Sequence, residues 1–250
     1  MDDYKIDGQI VCLTSPEFAL SYKWYPEAKS FKDNPKIQFI SAQSIDKYRN
    51  NGYEFDKDIV EGKVLAAHPF KPKTFIEFDT AEHHIYSEKV NAMCELAYRL
   101  GAKSIEQKFV LEDIEQLKID SSGNPSYAKI NIDAKFKREE AQKKTSKYHK
   151  KQTFEGNYNK DSWEKAKLTA KKYGLDKDAE INNLIITRNP DESLMLKSET
   201  VTIEMYRELK SIKELVASIN GLRGVAGFNA NFSTDSLIIQ KYTLESTIIF

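Results

Sequence analysis

The stretch Ala128-Lys-Ile-Asn-Ile-Asp-Ala-Lys-Phe-Lys137 alternates apolar and polar residues along its whole length. Because successive side chains of a β-strand point to opposite faces, this pattern predicts a strand with one buried and one solvated face. Residues 241–250 alternate in the same way. We therefore predict a sheet that contains both segments.

Charged, alternating segments also lie on either side of the first stretch. The same alternation of apolar and charged residues occurs in segments 104–119, 127–138 and 146–158. Turn-forming residues occupy 121–126. They predict an antiparallel meander of long hairpins. Further strands are expected at 181–188, 225–232 and 236–250. Short apolar runs and five of the seven prolines fall within residues 1–75, which predicts short strands and turns there.

Apolar residues at helical spacing predict three amphipathic helices, near 81–100, 162–173 and 204–220. The first carries a stripe that ends at Gly101, and the second is expected to be capped by Asp161 and Glu164. The first stripe is Tyr86, Val90, Met93, Ala97 and Leu100; the third is Met205, Leu209, Ile212, Val216 and Ile219.

These elements predict an α+β fold with a single domain over residues 1–250. Its N-terminal part, 1–75, is expected to hold short strands and turns. The remainder, 76–250, is expected to form a helix-covered antiparallel meander. The architecture is thus a twisted, mainly antiparallel sheet with long charged hairpins, covered by about three amphipathic helices.

Composition limits the classes of partner. The chain has 38 basic and 38 acidic residues, so no global field draws it to nucleic acid or anionic lipid. The two cysteines, Cys12 and Cys94, form no spaced framework, and no leader or long apolar run is apparent. We expect a reduced, cytoplasmic protein without a transmembrane helix.

Three short motifs suggest chemistry, and each has a simpler explanation. Asp79 with Glu106-Gln-Lys108 resembles the metal-and-lysine arrangement of a large nuclease superfamily in those three residues alone. His83 and His84 point about 100° apart on a helix, so they are not expected to share a metal ion. The glycine-rich segment 221–227 follows a helix, whereas a phosphate-binding loop precedes one. We predict no catalytic residue, metal site or cofactor, and the classification as an enzyme stays uncertain, leaning to no.

The best local patch is the lysine-rich segment 135–151, in which aromatic residues are interleaved with cations. Such a mixture can track phosphates and stack bases, or it can be the solvated tip of a hairpin. The candidate binding residues are Lys135, Lys137, Arg138, Lys143, Lys144, Lys147, Tyr148, Lys150 and Lys151.

The hypothesis that follows is a non-enzymatic cytoplasmic protein that binds a protein partner or self-assembles through strand edges and this segment. One alternative is a soluble pore-forming or membrane-acting effector that refolds its amphipathic hairpins, because 128–137 and 241–250 have the length of membrane-spanning strands, ~9–11 residues. A second alternative is a metal-dependent nuclease or a nucleic-acid-binding protein. Nucleic acid and anionic lipid are the less favoured partners.

Overall fold

The structure, a computed structural model, describes residues 4–25, 34–56, 59–119, 125–148, 150–155, 158–191, 196–219 and 237–250. These residues form ten strands and seven α-helices, which confirms the α+β class. The number of helices is larger than the three that were expected. The strands are β1 (Ile10–Thr14), β2 (Ile37–Ser41), β3 (Glu54–Phe55), β4 (Val64–Ala67), β5 (Thr74–Glu77), β6 (Ser104–Ile119), β7 (Pro125–Lys129), β8 (Lys151–Thr153), β9 (Ser198–Glu204) and β10 (Ile238–Ile249). The helices are α1 (Pro16–Ser21), α2 (Ile45–Asn50), α3 (Ala81–Arg99), α4 (Ala134–Tyr148), α5 (Lys160–Lys172), α6 (Ala179–Thr187) and α7 (Arg207–Ile219).

The contacts divide the chain into two compact units. The first comprises residues 1–84, 115–129 and 208–239, and the second comprises 85–114, 130–207 and 240–250. The division passes through α3, β6, α7 and β10, each of which contributes residues to both units. The single-domain architecture stays a prediction.

The first sheet lies in the first unit and has the strand order β2-β1-β4-β5-β3. Strands β1 and β2 pair in parallel, as do β3 and β5, whereas β4 runs antiparallel to β1 and β5. This sheet is mixed and separate from the second sheet, whereas one mainly antiparallel sheet was expected; the short strands predicted within residues 1–75 are present as β1 to β4. Its buried core includes Val11, Leu13, Leu65 and Phe75.

The second sheet has the order β7-β6-β10-β9, and β8 also pairs with β6. The pairs β6–β7, β6–β8 and β9–β10 are antiparallel. The long strands predicted at 104–119 and 236–250 are therefore confirmed as β6 and β10.

Three predicted helices are confirmed as α3, α5 and α7. The whole apolar stripe of the first, from Tyr86 to Leu100, is at most 2% exposed. The N-terminus of α5 differs in detail, because Asn159 and Ser162 form its capping box in place of Asp161 and Glu164. Among the helices in the described ranges, none is long and apolar enough to cross a membrane.

Two expected strands are helical. Of the stretch 128–137, only the first two residues belong to a strand, β7, and its last four begin α4. Because α4 continues to Tyr148, the described residues of the hairpin strand expected at 146–158 include only three in a strand, those of β8. Segment 181–188 lies largely in α6. The predicted strand 225–232, the turn 233–236 and the glycine-rich segment 221–227 lie outside the described residues.

Candidate functional site

Helix α4 carries most of the lysine-rich segment, and its sequence explains why it is a helix. Asp133 is the N-cap, since its Oδ1 accepts a hydrogen bond from the Phe136 N–H at 2.7 Å. The residues that follow are mainly Lys, Arg, Glu, Gln and Ala, all favourable in helices. A local cap and strong helix formers thus override the alternation that Ile130 and Ile132 begin.

A buried aromatic cluster fixes the C-terminal half of α4 against the sheet. The Lys144 Nζ lies 5.2 Å from the ring centroids of both Tyr86 and Tyr242, and 6.0 Å from that of Tyr148. Phe109 of β6 packs against the same three rings at centroid distances of 5.5–6.0 Å. Since Tyr86 and Tyr242 are fully buried, the ammonium contributes a cation–π contact in a largely desolvated setting.

A groove of about 440 Å³ runs between β6 and α4. We call it the α4 groove. Its lining combines an apolar floor with a cationic rim, and among the described residues that line it none is acidic. The lining residues are Lys108, Phe109, Val110 and Leu111 of β6 and Lys137, Arg138, Ala141, Gln142 and Thr145 of α4.

Two hydrogen bonds join the walls of the α4 groove. The Phe109 N–H donates to Thr145 Oγ1 at 2.9 Å, and the Lys137 ammonium donates to the Glu112 carbonyl oxygen. Both bonds link the backbone of β6 to a side chain of α4. The helix therefore occupies a position beside this strand that a neighbouring strand would otherwise take.

The rim of the groove is positively charged, though one cation is already paired. Lys108 forms an ion pair with Glu245 at 2.6 Å, while its side chain stays 65% exposed. The hydrogen bond of the Lys137 ammonium goes to a neutral carbonyl oxygen. Arg138, next to Lys137 on α4, is exposed. Charge and shape together suit an anionic group that is flanked by apolar surface.

The structure separates the nine candidate residues that the sequence predicted. Lys137 and Arg138 line the α4 groove, whereas Lys144 and Tyr148 point into the aromatic cluster. Three lysines lie on the rest of the helix: Lys135 near Glu139 (4.0 Å), Lys143 paired with Glu140 (2.5 Å), and Lys147 over the Tyr148 ring (5.2 Å). Beyond the helix, Lys150 donates to Asn91 Oδ1 and Lys151 pairs with Glu106 at 3.2 Å. The hydrogen bond to Glu140 raises the pKa of Lys143.

The residues of the nuclease resemblance have structural partners. Glu106 pairs with Lys151 and Lys108 with Glu245, so both act as cross-strand or edge charges on β6. Asp79 lies in the 3₁₀ turn that precedes α3. Of the histidines, His84 lies near a carboxylate, with its Nε2 3.7 Å from Asp56 Oδ2, and its ring lies 6.5 Å from the His68 ring. Within the described ranges no three potential ligands are close enough to hold a metal ion.

Sequence reasoning missed the β6 half of the groove. Phe109, Val110 and Leu111 carry no motif, and Lys108 was noted only as part of Glu106-Gln-Lys108; the four residues lie 23 to 26 positions before the first residue of α4. One signal was present: an Asp133 cap before a run of helix formers predicts α4, and a helix between β7 and β8 leaves part of β6 without a neighbouring strand.

Comparisons with known proteins add no further information about this site. No family model matches the chain, and neither the curated proteins nor the solved structures contain a significant match.

Proposed function

We propose that the protein is a non-enzymatic binding protein whose α4 groove receives an acidic, partly apolar segment of a protein partner. The observation that carries the proposal is the lining of the groove, in which three cations border an apolar floor; one of them, Lys108, is paired with Glu245, and the described lining residues include no carboxylate. Charged rims of this kind steer a partner of opposite sign and fix its register, while apolar contacts supply affinity.

The walls of the groove support a binding role because they are held in place before any partner arrives. Lys144 and its tyrosines fix the helix, and the Phe109–Thr145 hydrogen bond fixes the distance between helix and strand. A rigid, preformed site spends little free energy on ordering its own side chains when it binds.

A labelled peptide tests the proposal. The probe is a fluorescein-labelled peptide of about eight residues that alternates Glu with Val, and the control peptide carries Lys in place of every Glu. We expect fluorescence anisotropy to detect saturable binding of the acidic peptide alone. Failure of the acidic peptide to bind, or equal binding of both peptides, would overturn the proposal.

Charge reversal on one helix locates the site. Arg138→Glu is expected to weaken binding of the acidic peptide about tenfold, because it reverses a charge on the rim. Lys135→Glu is the matched control: it makes the same change on the same helix, but its side chain is 85% exposed and outside the groove lining. Equal loss in both variants would indicate a diffuse electrostatic surface, as a nucleic-acid-binding protein would have, and would contradict the assignment to the groove.

A further inference from the structure

A carboxylate from outside the α4 groove holds one of the cations that line it. Among the described lining residues, Lys108 is the cation that β6 supplies, whereas Lys137 and Arg138 belong to α4. The Lys108 ammonium lies 2.6 Å from the carboxylate of Glu245 on β10, and Glu245 is not among the lining residues. The β6 wall of the groove therefore presents a cation that already has an internal partner.

The position of Lys108 in the sheet allows its ammonium to reach either side of β6. Strand β10 is the neighbour of β6 on one edge. Helix α4 lies along the other edge, where the Phe109 N–H donates to Thr145 Oγ1. Lysine carries its charge on a flexible four-carbon stem, so the ammonium can leave Glu245 for a carboxylate in the groove while the backbone stays in place.

The exposure of this ion pair makes such an exchange feasible. The Lys108 side chain is 65% exposed and the Glu245 side chain is 31% exposed. Ion pairs at the surface are weak, because water and salt screen them. A carboxylate of the partner that takes the place of Glu245 replaces one ion pair by another, so its net gain at Lys108 is small. Without the charge of Glu245, the same contact would be a full gain.

A second ion pair of β6 provides a matched comparison. Glu106 pairs with Lys151 of β8 at 3.2 Å, and neither residue is among those that line the α4 groove. Glu106 and Lys108 are two positions apart, so their side chains lie on the same face of the strand. Loss of the Glu106 carboxylate therefore changes the charge near the groove by the same amount, but it releases a cation that does not line the groove.

We infer that Glu245 is an internal competitor for the α4 groove: it occupies Lys108 until an acidic residue of the partner displaces it. The inference rests on the proposed function and names the residue that regulates it. Because the gain at Lys108 is reduced by this competition, affinity depends on further acidic residues that contact the cations of α4. Glu245 thus sets how acidic a segment must be in order to bind.

Anisotropy with the acidic Glu–Val peptide tests the inference on the full chain. Glu245→Gln is expected to bind the peptide about threefold more tightly than the wild type, the effect of one exposed ion pair. Glu106→Gln is the control and is expected to bind like the wild type. Unchanged affinity in Glu245→Gln, or an equal gain in Glu106→Gln, would overturn the inference and leave the groove as a binding site. Absence of binding by both the wild type and Glu245→Gln would overturn the proposed function as well.

A double-mutant cycle shows whether Glu245 acts through Lys108. In a Lys108→Gln background no ammonium is left for the two carboxylates to share, so Glu245→Gln is expected to give no further gain. A threefold gain that persists there would show a long-range effect of charge and would contradict direct competition. Glu245→Thr is a second variant, since threonine already lies at 243 and 247 on the same face of β10, and it is expected to match Glu245→Gln in both backgrounds.

Discussion

Lys144 is the residue on which the position of α4 depends. Its ammonium faces three tyrosine rings, and two of those tyrosines are fully buried. Both the charge and the methylene stem contribute, because a long cationic side chain packs along its length while the head contacts the rings. The sequence placed this lysine in a solvated patch, since nothing local distinguishes it from its neighbours.

We predict that Lys144→Ala lowers the free energy of unfolding by about 2 kcal/mol, with cation–π and packing contributions together. Lys144→Met keeps most of the stem and is expected to cost less, about 1 kcal/mol. Urea denaturation measures both. The control Lys135→Ala removes an exposed lysine and should change stability by less than about 0.5 kcal/mol. An equal effect of Lys144→Ala and Lys135→Ala would show that the aromatic cluster does not anchor the helix.

Asp178 is a second residue whose surroundings lead to a testable prediction, here about how stability depends on pH. Burial raises the pKa of its carboxyl above the ordinary value, and this outweighs the hydrogen bond and charge of Arg207, whose Nη2 lies 2.9 Å from Oδ1. The folded protein then binds a proton more readily than the unfolded chain does. Stability from this group is greatest below the unfolded pKa, near 3.9, and falls as pH rises through the raised folded value.

The prediction compares the wild type with Asp178→Asn, which cannot titrate at this position. As the pH is lowered from neutral to about 4, the free energy of unfolding of the wild type should increase relative to that of the variant. Urea denaturation at a series of pH values measures the difference. A difference that stays constant over this range, or one that changes in the opposite sense, would contradict the stated pKa direction.

At the scale of elements, the C-terminus of α3 requires glycine for two reasons. Gly101 has φ +80°, and a Cβ added there would lie 2.7 Å from the Tyr158 Cβ. Gly52 has the same φ of +80°, but the nearest atom to an added Cβ is the flexible Lys73 Nζ at 3.9 Å. The two positions therefore separate backbone strain from steric conflict.

Gly52→Ala is expected to cost about 1 kcal/mol, from the left-handed conformation alone. Gly101→Ala should cost about 3 kcal/mol, because overpacking against Tyr158 is added. The double variant Gly101→Ala with Tyr158→Ala isolates the steric part through its coupling energy. Equal costs at the two glycines would mean that the contact with Tyr158 relaxes without penalty.

The sequence predicted elements well where the pattern was long and poorly where it was short. The stripe from Tyr86 to Leu100 extends over four turns, and β6 shows a burial period of two through Leu111. Segment 181–188 is a short apolar run, which periodicity alone does not assign to strand or helix. In 128–137 the alternation corresponds to a strand only at the two residues that belong to β7. Beyond Asp133 the same alternation continues in the sequence, but the residues are helical. The α4 groove could not be predicted, because it arises from the tertiary contact between α4 and β6.

At the scale of the whole molecule, the two cysteines report separately on the two compact units. Cys12 belongs to the first unit and Cys94 to the second, and both are free and buried. Burial raises the pKa of each thiol. Both properties make the native thiols unreactive toward a disulfide reagent.

We predict that both thiols become reactive in one urea transition, because four continuous elements contribute residues to both units. The variants Cys12→Ser and Cys94→Ser each leave one thiol, so that the midpoint of labelling is measured for one unit at a time. Coincident midpoints would support the single-domain prediction. Two separated midpoints would contradict it and define two domains.

The measurement that tests the central claim most directly is amide hydrogen exchange of the whole protein, with and without the acidic Glu–Val peptide. If the α4 groove receives the peptide, added protection appears within the groove-lining segments, 108–111 of β6 and 137–145 of α4, and the Lys–Val control peptide produces none. Protection confined to other segments, or no protection at a peptide concentration that saturates the anisotropy signal, would contradict the account.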